Sequence, residues 1–195
     1  MNFLALSALV NALAATGLGI FVYFRDPSAP RNRIYGLYCL SIAIWSVFYC
    51  GWQLTESSDL ALTLVRLLMA GAILIPILYF HHTVTFLDSS ARHATALKIG
   101  YSLAACFLLL DVTPWFVAGV EPAMSFPHWP RPGPLFHPYL LWFVVYVCYA
   151  TWLGGVALRD AGGIRRHQSA SSGTWAGRPI SPSGTTSRFR RMARC

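Results

Sequence analysis

The sequence predicts an all-α fold: a polytopic transmembrane bundle of five spans, N-terminus outside and C-terminus cytoplasmic. Three observations predict it. The 195 residues are 55% hydrophobic and 11% charged, against about 25% charged in a soluble domain. Five apolar stretches are each long enough to cross a bilayer core of about 30 Å at about 1.5 Å per helical residue. Finally, the cations are sorted. Of fifteen Lys and Arg, all but Arg66 and Arg131 fall in alternate connecting or terminal segments, which is the positive-inside pattern.

Span one is read as Phe3–Phe24 and is expected to be retained. Its start has no Lys or Arg, its apolar run exceeds a signal-peptide core, and the basic segment Arg25–Arg33 follows as a stop-transfer flank. The two prolines of that short loop predict a tight antiparallel pair with span two, Ile34–Trp52. Span three runs from Leu60 to about Phe80, with continuation to Leu87 open. Span four is read as Leu97–Val117 and span five as Tyr139–Leu158. Only helices satisfy the backbone over such lengths in lipid. Trp52, Trp115 and Trp142 fall near outer ends, and Tyr23, Tyr35, Tyr79 and Trp152 toward inner ends, as amphipathic rings prefer.

The longest outer loop, about Ala118–Pro138, is rich in proline and aromatics. It is expected to lie over the bundle as a stiff lid, with Phe126, Trp129 and Phe136 as candidate sensing or anchoring side chains. Inside the membrane a charge needs a partner or a cavity. Arg66 and Asp111 are opposite in sign and similar in depth on the outer side, so an ion pair stapling spans three and four is expected. Pro76 and Pro114 are candidate helix kinks. Asn11 is expected to hydrogen-bond between helices. His81 and His82 are adjacent and so point to different helix faces, which argues against a paired ligand set. Five cysteines without CxxC spacing give neither a disulfide framework nor a zinc site. No catalytic, cofactor-binding or metal-binding residue is assigned, and no cofactor is expected.

Several pieces, taken in order, resemble the seven-transmembrane N-terminal region of bacterial histidine kinases. They are Phe24-Arg-Asp-Pro-Ser-Ala-Pro-Arg-Asn-Arg-Ile34, Ala43-Ile-Trp-Ser-Val-Phe-Tyr49 and Gly71-Ala-Ile-Leu-Ile-Pro76 after Arg66. Thr113-Pro-Trp-Phe-Val-Ala-Gly-Val120, Pro132-Gly-Pro-Leu-Phe136 and Gly162-Gly-Ile-Arg-Arg-His-Gln168 follow. The resemblance covers about residues 5–168; order and spacing carry it, not any single motif. It implies a sensory input domain of a two-component system in the inner (plasma) membrane. The family's layout would continue into sixth and seventh spans after Gln168. Here the sequence turns to Ser, Gly, Thr and Arg, so 169–195 is expected to be a disordered basic tail, its abrupt onset resembling a frameshift.

The pI near 9.6 is not read as nucleic-acid binding, because the cations flank apolar spans. The partners expected are the lipid bilayer and anionic lipid at the cytoplasmic face, with a homodimer allowed. Without Arg178, Arg188, Arg190, Arg191 and Arg194 of the tail, the inner side still holds Arg25, Arg31, Arg33, Arg92, Lys98, Arg159, Arg165 and Arg166 against Arg131. The topology therefore does not depend on the tail. No phosphoacceptor His motif, Gly-rich ATP-binding box or cyclase motif occurs, so the reading is an input domain and not an enzyme. The alternative is a small permease or an integral membrane enzyme subunit. A permease would show repeats and broken helices around a midplane site, and an enzyme a polar cluster at one depth.

Overall fold

The computed structural model describes residues 3–124 and 126–173, with side chains as far as Arg159. The chain runs α1 (Phe3–Arg25), α2 (Pro30–Leu54), α3 (Ser58–Phe86), α4 (Ala94–Asp111), β1 (Val117–Ala123), β2 (Phe126–Pro132) and α5 (Phe136–Gly173). Five helices are long and apolar enough to cross a membrane, α5 through its Phe136–Arg159 part. Two compact units divide the chain, Met1–Ala157 and Leu158–Cys195. In the second, the described residues continue the α5 helix. The expected tail lies outside the described residues from 174 onward.

Small residues bring the first three helices together. The buried face of α1 is Ala5, Ala8, Ala12, Ala15 and Gly19, a stripe of period near 3.5 that lets α2 approach closely. Asn11 Nδ2 donates to Ser46 Oγ at 2.7 Å, the interhelical bond the sequence suggested. Between α2 and α3 the tightest approach is at Gly71. A Cβ there would lie 2.7 Å from the Trp45 backbone nitrogen and 2.8 Å from the Ser41 carbonyl oxygen.

Helix α3 forms the core of the first unit. Ser57 caps its start, its Oγ accepting from Leu60 N. Val65, Ile73, Pro76, Ile77, Phe80 and Val84 are fully buried along it. Phe80 packs against Tyr146 and Tyr149 of α5. Phe107 of α4 meets Tyr139 and Trp142, and Tyr146 Oη donates to the Ala96 carbonyl at 2.8 Å. Phe21, Leu13, Leu109 and Leu141 are exposed, as residues facing lipid would be.

The fold is mostly helical rather than wholly so, and this corrects the expectation in one region. Span four stops at Asp111, not at Val117. The apolar residues Val112, Trp115, Phe116 and Val117 make the span look longer than it is. Pro114 disfavours helical geometry at Thr113, and Thr113 instead closes the end, its N and Oγ1 both donating to the Leu110 carbonyl. Pro114 therefore lies beyond α4 and does not kink it. Pro76, by contrast, sits inside a continuous α3.

The loop expected to lie over the bundle as a stiff lid is an antiparallel hairpin. Gly119 pairs with Arg131, Val120 with Pro130 and Glu121 with Trp129, with irregularities on either side. Its four prolines (Pro122, Pro127, Pro130 and Pro132) are tolerated because a two-stranded ribbon is all edge. The hairpin base is locked at Gly133, where a Cβ would meet the Trp115 carbonyl oxygen at 2.2 Å. Gly133 N donates to Phe116 O and Leu135 N to Trp115 O.

Candidate functional site

The hairpin closes over the ends of α2 and α3, and Trp52 is its anchor. Trp52 ends the apolar part of α2 and is 7% exposed. Its Nε1 donates to the His128 carbonyl at 2.8 Å. Phe126 stacks on its ring at 6.1 Å and 16°, and Trp129 lies 6.0 Å away. From the opposite side of the residue, His128 Nε2 donates to the Glu56 carbonyl at 3.0 Å. One strand residue thus ties the hairpin both to the end of α2 and to the α2–α3 loop.

Two cavities flank Trp52. The larger, about 300 Å³, lies between α2, α3 and the hairpin, with Trp45, Tyr49, Met69, Trp129 and Phe136 among its walls. This is at the small end of ligand-site volumes. The second, about 240 Å³, is lined by Leu4, Gln53, Thr55, Phe126 and His128 as well as Trp52. Of the three aromatics proposed for the lid, Phe126 and Trp129 stand on β2 and touch each other at 5.1 Å. Phe136 is instead the first residue of α5, packed on Phe116 and Tyr139. It reaches the larger cavity from below the hairpin.

The expected staple of spans three and four is not formed. Arg66 is half-buried and Asp111 is 3% exposed. The Arg66 charge is near enough to act on Asp111. Yet the two are not within 4.0 Å; among the described residues the salt bridge present is Arg131–Glu121. Arg66 Nε and Asp111 Oδ1 both lack a hydrogen-bond partner. Asp111 is the last residue of α4 whereas Arg66 lies eight residues past the start of α3 at Ser58, so the equal inset from the helix ends that the sequence suggested does not hold.

At the opposite end of the bundle the histidines are engaged separately. His81 Nδ1 and Tyr101 Oη share a hydrogen bond of 2.7 Å, while His82 packs its ring on Tyr35 at 5.1 Å. Among the described residues no group of three or more His, Cys, Asp or Glu is placed to hold a metal ion.

Sequence reasoning reached the lid but missed what holds it. The sequence marks Trp52 only as an interfacial ring and does not single out His128. A Trp at the end of a span, facing a long loop with its own aromatics, was the available signal.

A family model described as the N-terminal 7TM region of histidine kinase matches residues 7–173. No curated protein and no solved structure matches. With most of its length matched, and with five helices among the described residues long and apolar enough to cross a membrane, this chain belongs to the family of N-terminal 7TM regions of histidine kinases.

Proposed function

We propose that this chain is the membrane-embedded sensory input domain of a bacterial signal-transduction protein, and that the hairpin face is where its signal is felt. The observation that carries the reading is the Trp52 anchor: an aromatic clamp holding a hairpin over an apolar cavity at one end of the bundle. An occupant of that cavity would touch α2, α3 and the hairpin together, so its binding would be felt by all three. The residues matched by the family belong to a sensor region, not a catalytic one. The sequence has no ATP-binding box, so output is assigned to a kinase, not to these residues.

The sorted cations support an inner-membrane orientation with the hairpin outside and the Arg25–Arg33 loop in the cytoplasm. The test is a fusion of the full chain to a histidine-kinase transmitter, read by phosphorylation of its response regulator. Trp52→Ala and Phe126→Ala should each shift the steady state at least about twofold. Leu109→Ala, at a lipid-facing position that is 76% exposed, should not. Equal output from all four proteins would overturn the assignment.

A further inference from the structure

At the end of the bundle opposite the hairpin, the small residues where α1 and α2 pack closely leave a groove of about 410 Å³ between the larger side chains around them. Its floor is made of small residues, Ala15 and Gly19 from α1 and Cys39 and Ala43 from α2. Its rim is Ile20, Phe24, Leu37 and Leu40, all exposed. A surface this apolar is compatible only with lipid or with another protein. Apart from Tyr23 at one edge, the polar side chains lining it are Thr16 and Arg33.

Arg33 stands at the mouth. Its Nε donates to the Pro27 carbonyl at 2.6 Å, which fixes the guanidinium plane. Its terminal nitrogens have no carboxylate within 4.0 Å among the described residues. The loop beside it adds Arg25 and Arg31. The one acid there, Asp26, is already occupied: Ser28 donates to its Oδ1 through both N and Oγ. An apolar slot thus opens onto a cationic rim with a held, unpaired guanidinium.

We infer that this groove seats an acyl chain of an anionic phospholipid, whose phosphate lies against Arg33. Charge decides between this occupant and a second copy of the chain. A symmetric copy would bring its own Arg25, Arg31 and Arg33 against these three, and like charges at close range disfavour that pairing. A phosphate monoanion answers them, and Arg recognises phosphate through paired donors. The proposal depends on the chain spanning a membrane and not on what the hairpin senses, so the two readings fail separately.

The experiment uses the full chain in nanodiscs of phosphatidylcholine with and without phosphatidylglycerol. Lipid retained after release is counted by native mass spectrometry, and melting is followed in both compositions. Phosphatidylglycerol should be retained preferentially. Arg33→Gln should weaken retention roughly fivefold, as expected for one cation at an anionic surface. Leu40→Trp, which fills the groove from its exposed rim, should abolish retention while melting normally in phosphatidylcholine. Arg92→Gln removes a cation from a neighbouring loop outside the groove and should leave retention unchanged. Equal retention of both lipids overturns the proposal, as does a loss in Arg92→Gln matching that in Arg33→Gln. Release as a dimer that Leu40→Trp converts to monomer would assign the groove to a second copy instead.

Discussion

Trp52 and His128 lie 76 positions apart in the chain, yet the indole N–H of one donates to the backbone carbonyl of the other at 2.8 Å. That bond joins the last turns of a membrane helix to a hairpin that makes few other polar contacts with the bundle. Trp52→Phe keeps an aromatic ring for Phe126 to stack on and removes only the donor. The expected loss is about 1 kcal/mol of local stability. Amide exchange at Glu121 and Trp129, a paired position of the hairpin, should accelerate while exchange in α3 stays the same. Unchanged exchange at these amides would show that ring stacking alone holds the hairpin.

Gly71 faces backbone, not a side chain that can move aside. Gly71→Val should therefore force α2 and α3 apart and cost about 1–3 kcal/mol, as overpacking does. The melting temperature in detergent measures this. Gly17, with open space where a Cβ would stand, provides the comparison: Gly17→Ala should melt as the parent or slightly higher, since Ala favours helix.

Because Arg66 and Asp111 are close without being paired, exchanging them should not restore what either single reversal loses. Asp111→Asn removes a buried charge with an unpartnered oxygen and should raise stability by on the order of 1 kcal/mol. Arg66→Asp alone should be strongly destabilising, since it places two acids near each other. Thermal melts of the two single reversals and of the exchange decide the matter. Full rescue by the exchange would show that the two side chains do pair in the bilayer.

Asp26, in the loop between α1 and α2, is held below its ordinary pKa of 3.8, first by the Ser28 hydroxyl and then by the Ser28 backbone N–H. A depressed acid contributes stability that is present above its unfolded pKa and lost as pH falls through the lower folded value. The loop should accordingly loosen only in strong acid, below about pH 4. Ser28→Ala should move the Asp26 titration upward, toward 3.8. Carboxyl carbon shifts in a labelled sample would record it, and an unmoved titration would remove Ser28 as the cause.

Most of the helical frame was legible because bilayer thickness and hydropathy set it. Spans one and two match α1 and α2 to within four residues at each end, and α3 takes the longer of the two ends left open for span three, stopping at Phe86. Asn11 was legible because an amide inside a span has few other partners than a neighbouring helix. What was not legible arose where hydropathy and backbone preference disagree. Val112–Val117 is apolar enough to continue a helix, but Pro114 stops it. The same early end leaves Asp111 at the terminus of α4 and not inside it, where the sequence suggested a depth matching that of Arg66. The hairpin was hidden by its prolines, which argue against a strand in any sheet with a partner on both sides. The Trp52 anchor depends on a backbone carbonyl, and a carbonyl carries no residue-type signal at all.

The 29 residues of α3 amount to about 43 Å of helix, against a hydrocarbon core of about 30 Å. Such a rod must tilt, or project beyond the lipid at one end or both. Its first turns carry Val65, beneath the hairpin, and its last turns carry His82, against Tyr35 of α2. The bilayer thickness thus acts on the same element as the hairpin. A thinner or thicker membrane would change how far α3 tilts or how much of it projects, and both ends of the helix would feel that change together.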